Sequence, residues 1–124
     1  MVESWVLAGG AAVVSAEDVT ELLRARIAAG ALETVLESAS GRTLFVVSNT
    51  ERAMVMLLDH PGDPGEHATD PGAEGWSDGY VLANGQEDEY PDADTVPLHE
   101  GLRIVRRILT TGCPPSDSSW TVDR

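Results

Sequence analysis

The sequence predicts an α+β fold, an antiparallel and twisted sheet of about five or six strands with two principal helices packed on it. Three observations carry that expectation. Two segments, one near each end of the chain, repeat apolar residues at helical spacing. Between them lie short apolar runs joined by links of hairpin length. The chain has 124 residues, 42% of them hydrophobic, enough for one domain, expected over 1–124, with a core of its own.

Ser4 to Val14 reads as a short strand, a Gly9-Gly10 turn and a second apolar segment. Ser15 is suited to cap a helix, with Asp18 in capping-box position. Val19, Leu22, Leu23 and Ile27 then share one face and Gly30 supplies a stop, so a helix is expected over 16–29. Three strands follow, at 32–38, 43–48 and 52–59. The hearts of the last two, Leu44-Phe45-Val46-Val47 and Met54-Val55-Met56-Leu57-Leu58, are continuously apolar. That pattern predicts that both of their faces are covered. The links Ala39-Ser40-Gly41-Arg42 and Asn49-Thr50-Glu51 make the three an antiparallel meander.

The stretch 59–78 holds three Pro-Gly pairs, six acidic residues and almost nothing to bury. It reads as a structureless loop, either a tolerated flexible insertion or a functional segment. Gly79 to Ala83 reads as a strand, Asn84-Gly85 as a two-residue hairpin turn, and Gln86 to Tyr90 as the returning strand. Asp92 to Val96 leads to Pro97, expected as the first residue of a second helix. Leu98, Leu102, Val105 and Leu109 form its apolar face, flanked by Ile104 and Ile108. Arg103, Arg106 and Arg107 are placed to complement the C-terminal end of its dipole. Gly112 and then Pro114-Pro115 end it. Ser119 to Asp123, with Trp120, reads as an edge strand. Phe45, Val47, Val55, Leu57, Leu102 and Val105 are the expected core.

The charge pattern bears on function. The net charge is -13, all eight basic residues are Arg, and from Ala53 to Leu102 there is no basic residue while twelve Asp and Glu occur. Like charges at this density repel and weaken a compact state, so the segment reads as a surface presented to something positive. Direct binding to DNA, RNA or an anionic membrane is disfavoured, because each is itself an anion. The single cysteine, Cys113, allows no internal disulfide and no Cys-based zinc cluster. The first residues show neither the basic nor the apolar part of a signal peptide, and no apolar run nears the roughly 20 residues that span a bilayer. A reducing cytoplasm is the expected location.

Catalytic motifs are missing from the sequence. His60 and His67 lie near Asp59, Asp63 and Glu66, but no HExxH, HxH or EF-hand spacing accompanies them or His99. There is no Gly-x-Ser-x-Gly, Walker loop or dinucleotide fingerprint. Cys113 follows a helix C-terminus, where the dipole disfavours a thiolate. Neither enzymatic activity nor any cofactor or resident metal is expected. The candidate binding residues are Trp76, Glu87, Asp88, Glu89, Tyr90, Asp92 and Asp94. Aromatic anchors among carboxylates suit an interface whose charges steer a basic partner. Trp76 can serve as such an anchor or as a cap on the core edge, whereas Tyr80 reads as core. The acidic strand can equally be a solvated edge that discourages aggregation.

The C-terminal part of the chain resembles one family. Gly79-Tyr80-Val81-Leu82-Ala83-Asn84-Gly85-Gln86 is followed by an acidic stretch ending Asp94-Thr95-Val96-Pro97. Then come the helix Leu98 to Leu109, Thr111-Gly112, Pro114-Pro115 and the late Trp120. This succession, over residues 77–123, is similar to the Imm-one family of immunity proteins from bacterial polymorphic toxin systems. The N-terminal part agrees in layout: a leading strand, a capped helix, then strands. The resemblance implies a small α+β protein that binds and blocks a cognate toxin, often a nucleic-acid deaminase, without chemistry of its own. The implied partner is a toxin domain with a basic surface. Two other readings stand beside it: a small metal- or ligand-binding protein using the His-bearing loop 59–78, and a structural adaptor in a secretion apparatus.

Overall fold

Antiparallel pairing organises the chain from end to end. The computed structural model describes residues 3–10 and 12–124. Strand β1 (Trp5–Leu7) leads to helix α1 (Ala16–Ala28), then to β2 (Glu33–Ser38), β3 (Thr43–Ser48) and β4 (Arg52–Leu58). Next come β5 (Glu66–Ala68), β6 (Trp76–Val81), β7 (Glu87–Pro91), β8 (Val96–Pro97), α2 (Leu98–Thr111) and β9 (Trp120–Val122). The main sheet runs β1-β2-β3-β4-β5-β9, and β8 also pairs with β4. Strands β5 and β8 take successive stretches of one β4 edge, at Met56-Leu57 and Arg52-Ala53 respectively. The sheet and two helices are the predicted α+β class, with one difference. The β6–β7 hairpin forms a separate two-stranded sheet instead of joining the first. Of the predicted apolar segment before α1, Ala11 lies outside the described residues, and Val13 bridges Val6.

Local chemistry explains the helices. The Ser15 hydroxyl oxygen accepts the Asp18 amide, the expected N-cap bond, and the Asp18 carboxylate accepts the Ser15 hydroxyl instead of its backbone N–H. At the other end Gly30, with φ +86°, turns the chain so that its N–H meets the Ile27 carbonyl and the Ala31 N–H meets that of Arg26, a Schellman closure. Helix α2 begins one residue later than expected. Pro97 is its extended N-cap, because its backbone still belongs to β8 opposite Arg52. The last turn of α2 holds no basic residue, so Arg103, Arg106 and Arg107 stop short of its end. Instead Arg42, from the β2–β3 turn, donates from Nη1 to the Gly112 carbonyl at 2.8 Å and supplies the cation there.

The core lies between the helices and one face of the main sheet. Trp5, Leu36, Leu44, Val46, Ala53, Val55 and Leu57 meet Val19 and Leu23 of α1 and Leu102, Ile104, Val105, Ile108 and Leu109 of α2. The expectation that both faces of β3 and β4 are covered is met only at the end of β3, where Val46, Val47 and Ser48 are buried in succession. Burial alternates along β4 and the start of β3, and Phe45, Met54, Met56 and Leu58 are only half-buried. Phe45 therefore leaves the expected core, while Val47, Val55, Leu57, Leu102 and Val105 are buried. The cause is the narrow second layer: the two-stranded hairpin buries Tyr80 and sits over β3, too small to cover the whole face. No helix among the described residues is long and apolar enough to cross a membrane.

Helix α2 approaches β4 at Gly101, where a Cβ would stand 3.0 Å from that of Ala53. Gly101→Val should therefore cost about 1–3 kcal/mol by overpacking, against about 2–5 kcal/mol for Leu102→Ala by cavity formation. Urea unfolding measures both. A loss below about 0.5 kcal/mol at either position would mean a surface-like site and a different helix–sheet contact.

Candidate partner-binding site

A single guanidinium places the hairpin layer. Arg52 opens β4, and its Nη2 donates to the Asp70 carboxylate at 2.7 Å, the Asp92 carbonyl at 3.0 Å and the Thr95 carbonyl at 3.1 Å. Its Nε donates to the Thr95 hydroxyl at 2.8 Å. The 59–78 stretch, the end of β7 and the approach to α2 thus converge on one cation. Asn49 adds a tie, donating from Nδ2 to the Asp78 carbonyl at 3.0 Å. Its Oδ1 also accepts the Glu51 and Arg52 amides. These bonds hold Thr50 at φ +81°, the left-handed region that non-glycine residues avoid.

The 59–78 stretch is not structureless. Strand β5 lies within it, between β4 and β9. The Arg124 guanidinium chelates Asp63, with Nη2 at 2.7 Å from Oδ2, and also reaches Glu66 and Asp59. Those hydrogen bonds from Arg124, then the Asp59 amide, hold the Asp63 carboxyl well below the usual carboxylate range, against the opposing effect of burial. The segment has few apolar side chains, and ion pairs with distant arginines order it instead.

The hairpin turn also differs from the two-residue form. Leu82 accepts the Gly85 amide, and the Leu82 N–H meets the Gln86 carbonyl, a three-residue loop with Gly85 alone left-handed. Asn84 Oδ1 accepts the Gln86 amide at 2.9 Å, a local bond that keeps Asn84 out of the left-handed state the shorter turn requires. A register shift between Ser77 and Tyr80, with Gly79 at φ +85°, twists the hairpin further.

The seven predicted binding residues divide into two groups. Glu87 and Glu89 point outward, exposed and without an ion pair among the described residues. Trp76 lies opposite Pro91 and is 65% exposed, which decides its role against capping the core edge. The other four serve internal contacts as well. Asp88 accepts the Tyr90 hydroxyl at 3.1 Å, and the Tyr90 ring packs on Tyr80 with centroids 4.7 Å apart. Burial and then the bond to Asp88 push the Tyr90 phenol up to about 12. Asp92 accepts the Ser77 hydroxyl and lies 3.8 Å from Arg52 Nε. Asp94 is bound to His67. Tyr80 is fully buried, as read; its hydroxyl lies near Thr95 and Arg52 but makes no well-formed hydrogen bond.

Sequence reasoning missed the groove that these elements create. Between β4 and the hairpin lies an open depression of about 430 Å³, floored by Met54 and Met56 and walled by Tyr90, Pro91 and Pro64. At its rim His67 joins two segments: Nε2 meets Asp94 Oδ1 at 3.1 Å and Nδ1 meets Asp123 Oδ2 at 2.7 Å. The alternation of Met54 and Met56 along β4 was the available signal, masked by the apolar residues between them. Burial, the largest single influence on His67, disfavours the imidazolium, but the bonds to Asp123 and Asp94 outweigh it, and its pKa is raised above 6.5. His60 is exposed, with Nδ1 3.0 Å from the Pro61 carbonyl. Among the described residues no group of three or more His, Cys, Asp or Glu is arranged to hold a metal ion.

No protein-family model matches the sequence, and no curated protein is significantly similar to it.

His67 sets a pH dependence. A raised folded-state pKa contributes stability that is fully present below the unfolded value near 6.5 and is lost as pH rises through the folded value. The thermal midpoint should therefore fall across that window, and His67→Gln should remove this component. Superimposable pH profiles for the two proteins would show that His67 does not titrate with folding.

Proposed function

We propose that this protein is an immunity protein acting in the bacterial cytoplasm. It binds a cognate toxin domain with a basic surface, of the nucleic-acid-targeting, deaminase type, and occludes its active site. The observation that carries the reading is the half-covered sheet face, where Phe45, Met54 and Met56 remain partly accessible next to a hairpin whose outer side carries the carboxylates of Glu87 and Glu89. Accessible apolar side chains supply area for association and unpaired carboxylates steer a cationic partner. A toxin that acts on nucleic acid must offer positive charge to phosphates, and an acidic surface can occupy that site in its place. The resemblance of residues 77–123 to the Imm-one family supports the same partner. A second reading, small-ligand binding next to the His-bearing loop, draws on the groove, whose size falls in the range of small-molecule sites.

The proposal expects a toxin domain to be encoded beside this gene, and co-expression with it is the test. The two should co-purify, and cells carrying both should grow. Growth arrest with no complex would exclude immunity and favour the ligand reading. Association should slow roughly tenfold or more as the Debye length falls from about 30 Å at 0.01 M salt to about 8 Å at physiological salt. Replacing Glu87 and Glu89 with Gln, while keeping the inward Asp88, should slow association without loss of stability. Unchanged kinetics in stopped-flow measurements would assign those two residues to solubility alone.

A further inference from the structure

The groove beside the hairpin carries a more specific assignment, one that rests on the toxin-blocking reading for the partner's identity but not for its chemistry. We propose that the groove receives an arginine side chain from the partner. Its floor, Met54 and Met56, belongs to the sheet face turned away from the helices and suits an aliphatic stem. Tyr90 and Pro91 form an apolar wall against which a flat guanidinium can lie. At the rim, Asp94 Oδ1 and Asp123 Oδ2 are spent on His67. The second oxygen of each carboxylate accepts no hydrogen bond among the described residues, and the Asp94 side chain is 51% exposed. With His67 charged, the three groups still leave one net negative charge, which a single cation balances.

The planar donor fork of arginine fits two separated carboxylate oxygens better than the compact ammonium of lysine. Charge also selects between a foreign partner and a second copy. The cations without an ion pair among the described residues, Arg24, Arg26, Arg106 and Arg107, all lie on the helices, and Arg26 is already engaged by the Thr34 hydroxyl and the Glu33 carbonyl. Pairing them with the groove of another molecule would bring together two chains of net charge -13, which repel.

The test uses the intact protein with ¹³C-methyl-labelled methionine and an acetylated, amidated Gly-Ser-Arg-Ser-Gly peptide. The Met54 and Met56 methyl resonances should shift saturably. A citrulline peptide, equal in shape but neutral, should bind about tenfold more weakly. The combined Asp94→Asn and Asp123→Asn variant should lose the preference for arginine. Met56→Arg, which supplies a guanidinium from within and removes neither carboxylate, should block the peptide even if the first variant fails to fold. Equal shifts with both peptides, no shift at Met54 and Met56 into the millimolar range, or unchanged peptide binding by Met56→Arg would overturn the proposal. Failure of the immunity reading looks different: no complex with the toxin domain, whatever the peptide does. A toxin complex whose rates are indifferent to Met56→Arg would overturn the groove assignment alone.

Discussion

The structure turns on Arg52. Its guanidinium is the point at which three segments distant in sequence meet, and it is enclosed to a side-chain exposure of 19%. Three carbonyl or hydroxyl partners and one carboxylate accept from its Nη2 and Nε. Burying a cation without partners would cost several kcal/mol, so these segments are bound together: Asp70 and Asp92 compensate the charge and Thr95 accepts from its donors. The hairpin's position over the sheet follows from that requirement more than from apolar packing, because among the described residues Tyr80 and Val47 are the only buried hydrophobic side chains outside the main core.

The two faces of the main sheet therefore differ in kind. One is sealed by α1 and α2 and carries the stability of the fold. The other carries a narrow polar-edged layer and leaves a band of half-buried apolar side chains. Such a band costs little in a monomer when it is broken up by Glu33, Glu37 and Thr43, which share that face by register. It remains available to a partner, and the acidic hairpin beside it sets which partners can approach.

Charge in this chain has two separate uses. Asp63, Asp70, Asp92 and one oxygen of Asp94 are engaged in holding the 59–78 stretch and the segment after β7 against Arg124, Arg52 and His67. Glu87 and Glu89 are not. A single acidic window thus contains structural carboxylates and free ones, and within β7 alternation turns Asp88 inward between two outward neighbours.

The elements legible in the sequence are those governed by near neighbours. The Ser15 cap, the Gly30 and Gly112 stops, the apolar periodicity of α2 and the short links of the meander each rest on residues a few positions apart, so their physics is written locally. The order of 59–78 is not. Arg124 reaches Asp63 across 61 positions and Arg52 reaches Asp70 across 18 and Asp92 across 40, and no local pattern announces such pairs. A window free of basic residues looked uncompensated because its cations flank it or lie at the far end of the chain. The same holds for the sheet face: a continuous apolar run does not say which of its sides a second layer will cover. Only the tertiary arrangement decided that the hairpin would shield one end of that face and leave the groove open, because the clamp on Arg52 fixes where the hairpin can lie.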